Sequence, residues 1–255
     1  MGIDLQKASF GKRIIAHIFD VLLVCVLAVG FITILSSSIG YDSYVAKYES
    51  AYNKYSAQYE LTLTTEEYNN LSEEERTSYN EKMLEAEKAF SADNEAMYAY
   101  NMAINLLLLM FTLGFLLSIV ALEFVVPLLL KNGQTIGKKI FGIGLMHIDG
   151  IKVSNVQLFA RTVLGKFAIE LMIPLYIIIM FSLDAIGIVG VTILILLLLT
   201  ELIILASSNS NPLIHDKLSN TVAVDLASQK IFNTREELIA HVKAIHAERA
   251  SRSPY

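Results

Sequence analysis

The sequence predicts an all-α membrane protein: a four-transmembrane-helix bundle with an extracytoplasmic helical hairpin insert and a small cytoplasmic β-hairpin. Three observations carry this reading. Hydrophobic residues fill 54% of the 255 positions and the mean hydropathy is positive, whereas soluble domains hold roughly 45–50%. Four runs reach about the 20 apolar residues that a helix needs to cross a hydrocarbon layer of about 30 Å. Acids and bases are segregated along the chain, so the net charge of −5 averages an acidic insert against basic connections.

The predicted spans cover 14–39, 102–130 ("INLLLLMFTLGFLLSIVALEFVVPLLL" lies within it), 167–183 ("FAIELMIPLYIIIMFSL") and 185–206 ("AIGIVGVTILILLLLTELIILA"). Only Asp184 and a few small residues separate the last two, which predicts a tight helical hairpin. Short segments rich in Lys and Arg stay cytoplasmic. Here they are the N-terminus (Lys7, Lys12, Arg13), the connection with Lys131, Lys138, Lys139 and Lys152, and the tail after 206. Both termini are therefore expected in the cytoplasm of a multi-pass plasma-membrane protein. The chain divides into 1–40 (N-terminus and first span), 41–100 (insert), 101–130 (second span), 131–166 (cytoplasmic connection and amphipathic start of the third span), 167–206 (third and fourth spans) and 207–255 (tail with a C-terminal helix). A secretory signal fits less well, because the first apolar run exceeds the roughly 7–15 residues of a signal core and is interrupted by His17 and Asp20. The myristoylation pattern fails at Gln6, where Ser or Thr is needed.

In the insert, tyrosines at 41, 44, 48, 52, 55 and 59 fall three or four apart, which makes one stripe on a helix and suggests that the first span continues beyond the membrane. Tyr79, Met83, Ala86, Phe90 and Met97 repeat at similar spacing on the return, and Thr65 or Ser72, each followed by acids, can cap helices at the tip. The stripe reads as a seam between two antiparallel helices; the alternative is a recognition platform, since tyrosine is favoured at binding surfaces.

The cytoplasmic connection, "KNGQTIGKKIFGIGLMHIDGIKVSNVQ", offers Gly133, Gly137 and Lys138 in a spacing one residue short of a phosphate loop, with Lys139 in place of Ser or Thr, so no nucleotide site is predicted. Alternation around Asp149–Gly150 predicts a β-hairpin, and Ser154 with Gln157 a capping box. Lys138, Lys139 and Arg161 are candidate contacts for anionic lipid headgroups, with simple orientation of the span as the competing role. In the tail, Asn211 and Pro212 open a short helix holding His215, Asp216 and Lys217. Thr234 and Glu237 cap a last helix to about Arg249, with Leu238, Val242 and Ile245 on one face. The single cysteine, Cys25, has no second thiol, and His241 and His246 stand five apart, off the spacing that shares a metal. No metal site, cofactor, nucleic-acid partner or enzyme signature is predicted. The partners expected are the lipid bilayer, a second copy of the chain, and a protein bound by the 41–100 hairpin.

The stretches "GKRIIAHIFD", "GQTIGKKIFGIGLMHIDG", "LFART" and "PLIHDKLSNTVAV", in this order, resemble the RDD family of bacterial membrane proteins, named for one arginine and two aspartates. The resemblance covers roughly 8–38 and 101–228 and leaves out the insert and the last helix. Position by position it places the arginine at Arg13, the first aspartate at Asp20 and the second at Asp216, in "IHDK", where the family often has Arg after Asp and this chain has Lys217. It implies a membrane protein without an established molecular function, for which transport of ions or small solutes has been proposed.

Arg13, His17 and Asp20 stand at i, i+4 and i+7, on one face of the first helix. A charge at the bilayer centre costs at least about 2.5–3.5 kcal/mol, so these groups should face the bundle, where Glu123, Glu170 and Glu201 also lie within spans. Two readings compete. In one, Asp20, His17, Glu123, Glu170 and Glu201 form an ion or proton site for cation- or proton-coupled transport. In the other, the same residues are structural ion pairs of a non-catalytic scaffold, sensor or assembly partner. Arg13 is expected to pair with Asp216, because both lie near the cytoplasmic interface, leaving Asp20 deeper in the bundle; direct pairing of Arg13 with Asp20, seven residues on, is the rival.

Overall fold

The computed structural model describes residues 6–130, 132–182, 188–207 and 213–252, with the backbone alone at 188–190, 201 and 205–207. Contacts divide the chain into two units, residues 1–28 with 115–255, and residues 29–114. Three helices are long and apolar enough to cross a membrane: α1 (Phe10–Ser38), α5 (Asn94–Leu129) and α7 (Asn155–Ser182). The fourth predicted run holds α8 (Ile188–Ser207), whose apolar stretch, Val191–Ile204, is shorter. The predicted turn at Asp184 and the helix start at Asn211 and Pro212 lie outside the described residues.

In the unit of residues 29–114, Gly40 takes φ +77° and separates α1 from α2 (Tyr41–Gln58). The first span therefore does not run on unbroken into the insert; a left-handed glycine ends it, as at many helix C-termini. Capping boxes at Thr64/Glu67 and Ser72/Glu75 start α3 (Thr65–Asn69) and α4 (Glu73–Ala92), so the first cap is Thr64 rather than Thr65. Asp93 then accepts from the Glu95 and Ala96 amides at 3.0 and 3.1 Å and opens α5. Helices α2 and α4 form the expected antiparallel pair. Tyr48 and Tyr55 both meet Phe90 edge-on, at centroid distances of 6.0 and 5.9 Å, and Lys82 reaches Glu60 at the far end. Each aromatic pair adds about 0.5–1.5 kcal/mol beyond its buried area. Tyr52 and Met83, 55% and 50% exposed, face away, so the seam is narrower than the tyrosine spacing suggests.

The other unit is gathered at a small sheet. Strand β1 (Ile143–His147) pairs antiparallel with β2 (Thr221–Asp225), Leu145 opposite Ala223. The Asp149–Gly150 turn forms, with Gly150 at φ +88° and its amide donating to the His147 carbonyl at 2.9 Å. Yet against β1 the following segment adds an isolated bridge, Met146 to Lys152, and its Ile151 bridges to Phe232 of the tail. The ladder goes instead to β2, because β1 is buried along nearly its whole length and "TVAV" supplies an equally buried, apolar partner. Residues before α1 add an edge, with the Ala8 amide donating to the Ala223 carbonyl, and Ala8, Ala16, Ile143 and Ala223 pack as one cluster. The sheet thus ties the start of α1, the connection and the tail together. The connection also carries α6 (Ile136–Ile140), and the tail carries α9 (Ile214–Ser219) and α10 (Arg235–Arg252).

Two stretches of the spans are π-helix: Val120–Val125 in α5 and Ala160–Met172 in α7. A proline comes shortly after each. Pro127 offers no amide to the carbonyl four residues back, that of Glu123, and this carbonyl accepts from the Thr162 hydroxyl at 3.1 Å.

Candidate functional site

Ionisable side chains converge on a cavity of about 240 Å³ within the sheet-bearing unit, walled by α1, α6, α7, α9 and β2. From α1 come Arg13, His17 and Asp20, brought to one side by their spacing. Asp20 is 5% exposed; one carboxylate oxygen accepts from the Gly137 amide at 2.7 Å and the other from the Thr135 hydroxyl. Thr135 in turn caps α6, its oxygen accepting from the Lys138 amide at 3.3 Å. Position 137 must be glycine, because a Cβ there would collide with the Ala16 carbonyl oxygen. Asp20 therefore latches the start of α6 onto α1 and aims Lys138 into the cavity.

The π segment of α7 supplies two cations. Its hydrogen bonds join residues five apart, and Arg161 and Lys166, spaced by five, both line the cavity. Lys166 pairs with Glu123 from the π segment of α5. Arg161, 4% exposed, pairs with Asp216 of α9 and also donates to the Thr221 hydroxyl at 2.8 Å. Burial alone would raise the Asp216 carboxyl, but the Arg161 guanidinium outweighs it and holds the group below the usual carboxylate range. His215 packs where Gly165 has no side chain; a Cβ on Gly165 would come within 2.5 Å of its Cβ. Its backbone amide donates to Glu170 at 2.8 Å and its ring Nδ1 lies 2.7 Å from the same carboxylate. Burial, aided by the Arg161 charge, pushes the imidazole down to about 4. It is therefore neutral at physiological pH, with the Nδ1 proton assigned toward Glu170. Burial and the neighbouring Lys166 ammonium push Lys138 down to about 8.

The structure thus brings Arg13, His17 and Asp20 to the cavity with Asp216, and sets Glu123 and Glu170 beside it through Lys166 and His215. The Glu201 side chain lies outside the described residues. Two sequence expectations are corrected. Asp216 makes its ion pair with Arg161 rather than Arg13, because α9 packs along α7 and delivers the carboxylate there; Arg13 lines the same cavity. Arg161 is buried in that pair rather than exposed at the membrane surface, whereas Lys139 is exposed. Sequence reasoning did not find Thr135, Gly137, Gly165 or Lys166 as members of the site. Among the described residues no group of three metal-binding side chains occurs. The model of the RDD family matches residues 7–220, and no curated protein or solved structure matches the chain.

Proposed function

We propose, from the premise that the chain belongs to the RDD family, that this membrane protein moves an ion or small solute across the plasma membrane in exchange with protons, without catalysing a covalent reaction. The observation that carries the reading is the cavity itself: charged and titratable side chains from α1, α6, α7 and α9 surround it. Groups so placed in or beside membrane-spanning helices mark ion and proton pathways more often than packing devices. Pairing within the network sets how such a pathway works. Because Glu123 is held by Lys166 and Glu170 by His215, a passing charge exchanges partners with existing pairs instead of entering vacant carboxylates. The distribution of Lys and Arg supports four spans, Ile188–Ser207 being the last, with both termini cytoplasmic and the 41–100 hairpin outside. So few helices would complete a pathway as an oligomer.

One observation favours a second reading, a membrane scaffold or assembly partner. Asp20, Glu123, Glu170 and Asp216 all have their donors within the protein, as fixed ion pairs would. Proteoliposomes separate the two. Purified protein should dissipate a pH gradient when an ion gradient is imposed, and Glu123→Gln, checked for folding by size exclusion, should abolish the flux. Absence of flux from folded wild type across a panel of cations and small anions would leave the scaffold.

A further inference from the structure

Hydrogen-bonding capacity at the cavity is lopsided. Asp20 accepts through both oxygens, from Thr135 and Gly137, and Asp216 through both of its own, from Arg161 and the Leu213 amide at 3.3 Å. Donors are in surplus. Among the described residues the Lys138 ammonium makes no hydrogen bond or ion pair, and the Lys166 ammonium, with three donors, bonds Glu123 alone. Arg161 bonds both Asp216 and Thr221 through one nitrogen, Nη1. His17 also lines the cavity. A guest cation would find acceptors whose oxygens are all engaged and four cationic side chains around them; a guest with free acceptor oxygens would meet the N–H groups that Lys138 and Lys166 leave without a partner among the described residues.

From this we infer that the cavity is a binding site for a phosphate-type oxyanion, held by Lys138 and Lys166 with Arg13, Arg161 and His17 around it. The inference names the ligand class of the site and rests on the transport reading only for the later fate of the bound anion. Charge-assisted bonds from ammonium and guanidinium groups to phosphate oxygens are among the strong hydrogen bonds available to a protein. The anion also offsets the burial and the neighbouring Lys166 charge that depress the Lys138 ammonium. The remaining wall is apolar, with Phe10, Ile14 and Leu213, and Phe10 and Ile14 are 52% and 41% exposed. A phosphate carrying an apolar portion is accommodated on that side. The phosphate can come from an anionic lipid headgroup or from a free small phosphate, and both present the same oxygens.

Thermal stability of the full-length protein in a non-ionic detergent tests this, with inorganic phosphate at constant ionic strength against chloride, and with micelles doped with phosphatidylglycerol against phosphatidylcholine. Binding raises the thermal midpoint by mass action. Stabilisation by phosphatidylglycerol alone assigns the site to a lipid headgroup, and stabilisation by inorganic phosphate assigns it to a soluble ligand. In either case Lys138→Gln should weaken the apparent affinity about tenfold or more, while Lys243→Gln, at an exposed position of α10, leaves it unchanged. No stabilisation by either probe, or the same loss in both variants, overturns the site. Because binding is read without flux, a protein that transports but binds neither probe overturns this inference alone, and one that binds but does not transport overturns only the transport reading.

Discussion

Replacing Arg161 with methionine tests the ion pair that fastens the tail to α7. The guanidinium and the Asp216 carboxylate are each 5% exposed, so removing the cation strands a charge that water reaches poorly. Breaking such a buried pair costs about 3–5 kcal/mol. With each kcal/mol shifting the thermal midpoint of a chain of this size by about 2–4 °C, the variant should melt on the order of 10 °C lower. Asp216→Leu strands the cation instead, which among the described residues retains only the Thr221 hydroxyl. The double variant, Arg161→Met with Asp216→Leu, leaves no buried charge at the pair and fills similar volume, so it should recover most of the loss. The chain has no tryptophan, which makes a fluorescent fusion followed through size exclusion after heating the suitable assay. A double variant no better than the sum of the singles, within about 0.5 kcal/mol, would refute the pairing. So would stronger coupling between Arg13→Met and Asp216→Leu than between Arg161→Met and Asp216→Leu, since Arg13 would then be the carboxylate's main partner.

Three further outcomes are expected. Gly137→Ala drives a Cβ against the Ala16 carbonyl oxygen and should destabilise by about 1–3 kcal/mol or more, while Gly11→Ala, with nothing within 4 Å, should be neutral in the same heating assay. His215 is depressed to about 4 in the folded protein from an ordinary 6.5, so its contribution is fully present above pH 6.5 and is lost as pH falls from there through 4. The loss is about 3 kcal/mol in all, and His215→Gln should flatten the melting profile between pH 7 and 4.5; an unchanged slope would contradict it. In the insert, Tyr48→Asp should raise susceptibility to limited proteolysis of 41–100, whereas Tyr52→Asp, on the outward face, should not; equal effects would count against the observed seam.

What was legible in the sequence was local or additive. Apolar length located the long helices, the S/T-x-x-E/Q pattern located the caps at Ser72 and Ser154, and helical spacing put Arg13, His17 and Asp20 on one side of α1. Pairing across the chain was not legible, because nothing in "LMHID" says that its strand partner lies at Thr221–Asp225 rather than just after the Asp149–Gly150 turn. The cations of the site were not legible for the same reason: an α-helical reading of "ARTVLGKFAIE" sets Arg161 and Lys166 on different faces, and only π winding aligns them. One signal for that winding was present and unread. Glu123 and Glu170 each stand four residues before a proline, in "EFVVP" and "ELMIP", and each proline withdraws the amide that would have served the glutamate's own carbonyl.

That repeated pattern bears on how the site is built. A carbonyl released by proline inside an apolar span costs free energy unless a donor replaces the lost amide. At Glu123 the donor is Thr162, one residue after Arg161 and four before Lys166. The hydroxyl that satisfies the α5 backbone thus also fixes the height of α7 against α5, and that height brings the Lys166 ammonium to the Glu123 side chain. A valine at 162 conserves shape but removes this hydroxyl from the carbonyl, so Thr162→Val should destabilise by about 0.5–1.5 kcal/mol. If the hydroxyl also sets the register of the pair, Lys166→Met and Thr162→Val should be less than additive, because once the register is lost the ion pair has little left to lose. Additive losses would show that the threonine and the lysine hold the helices independently.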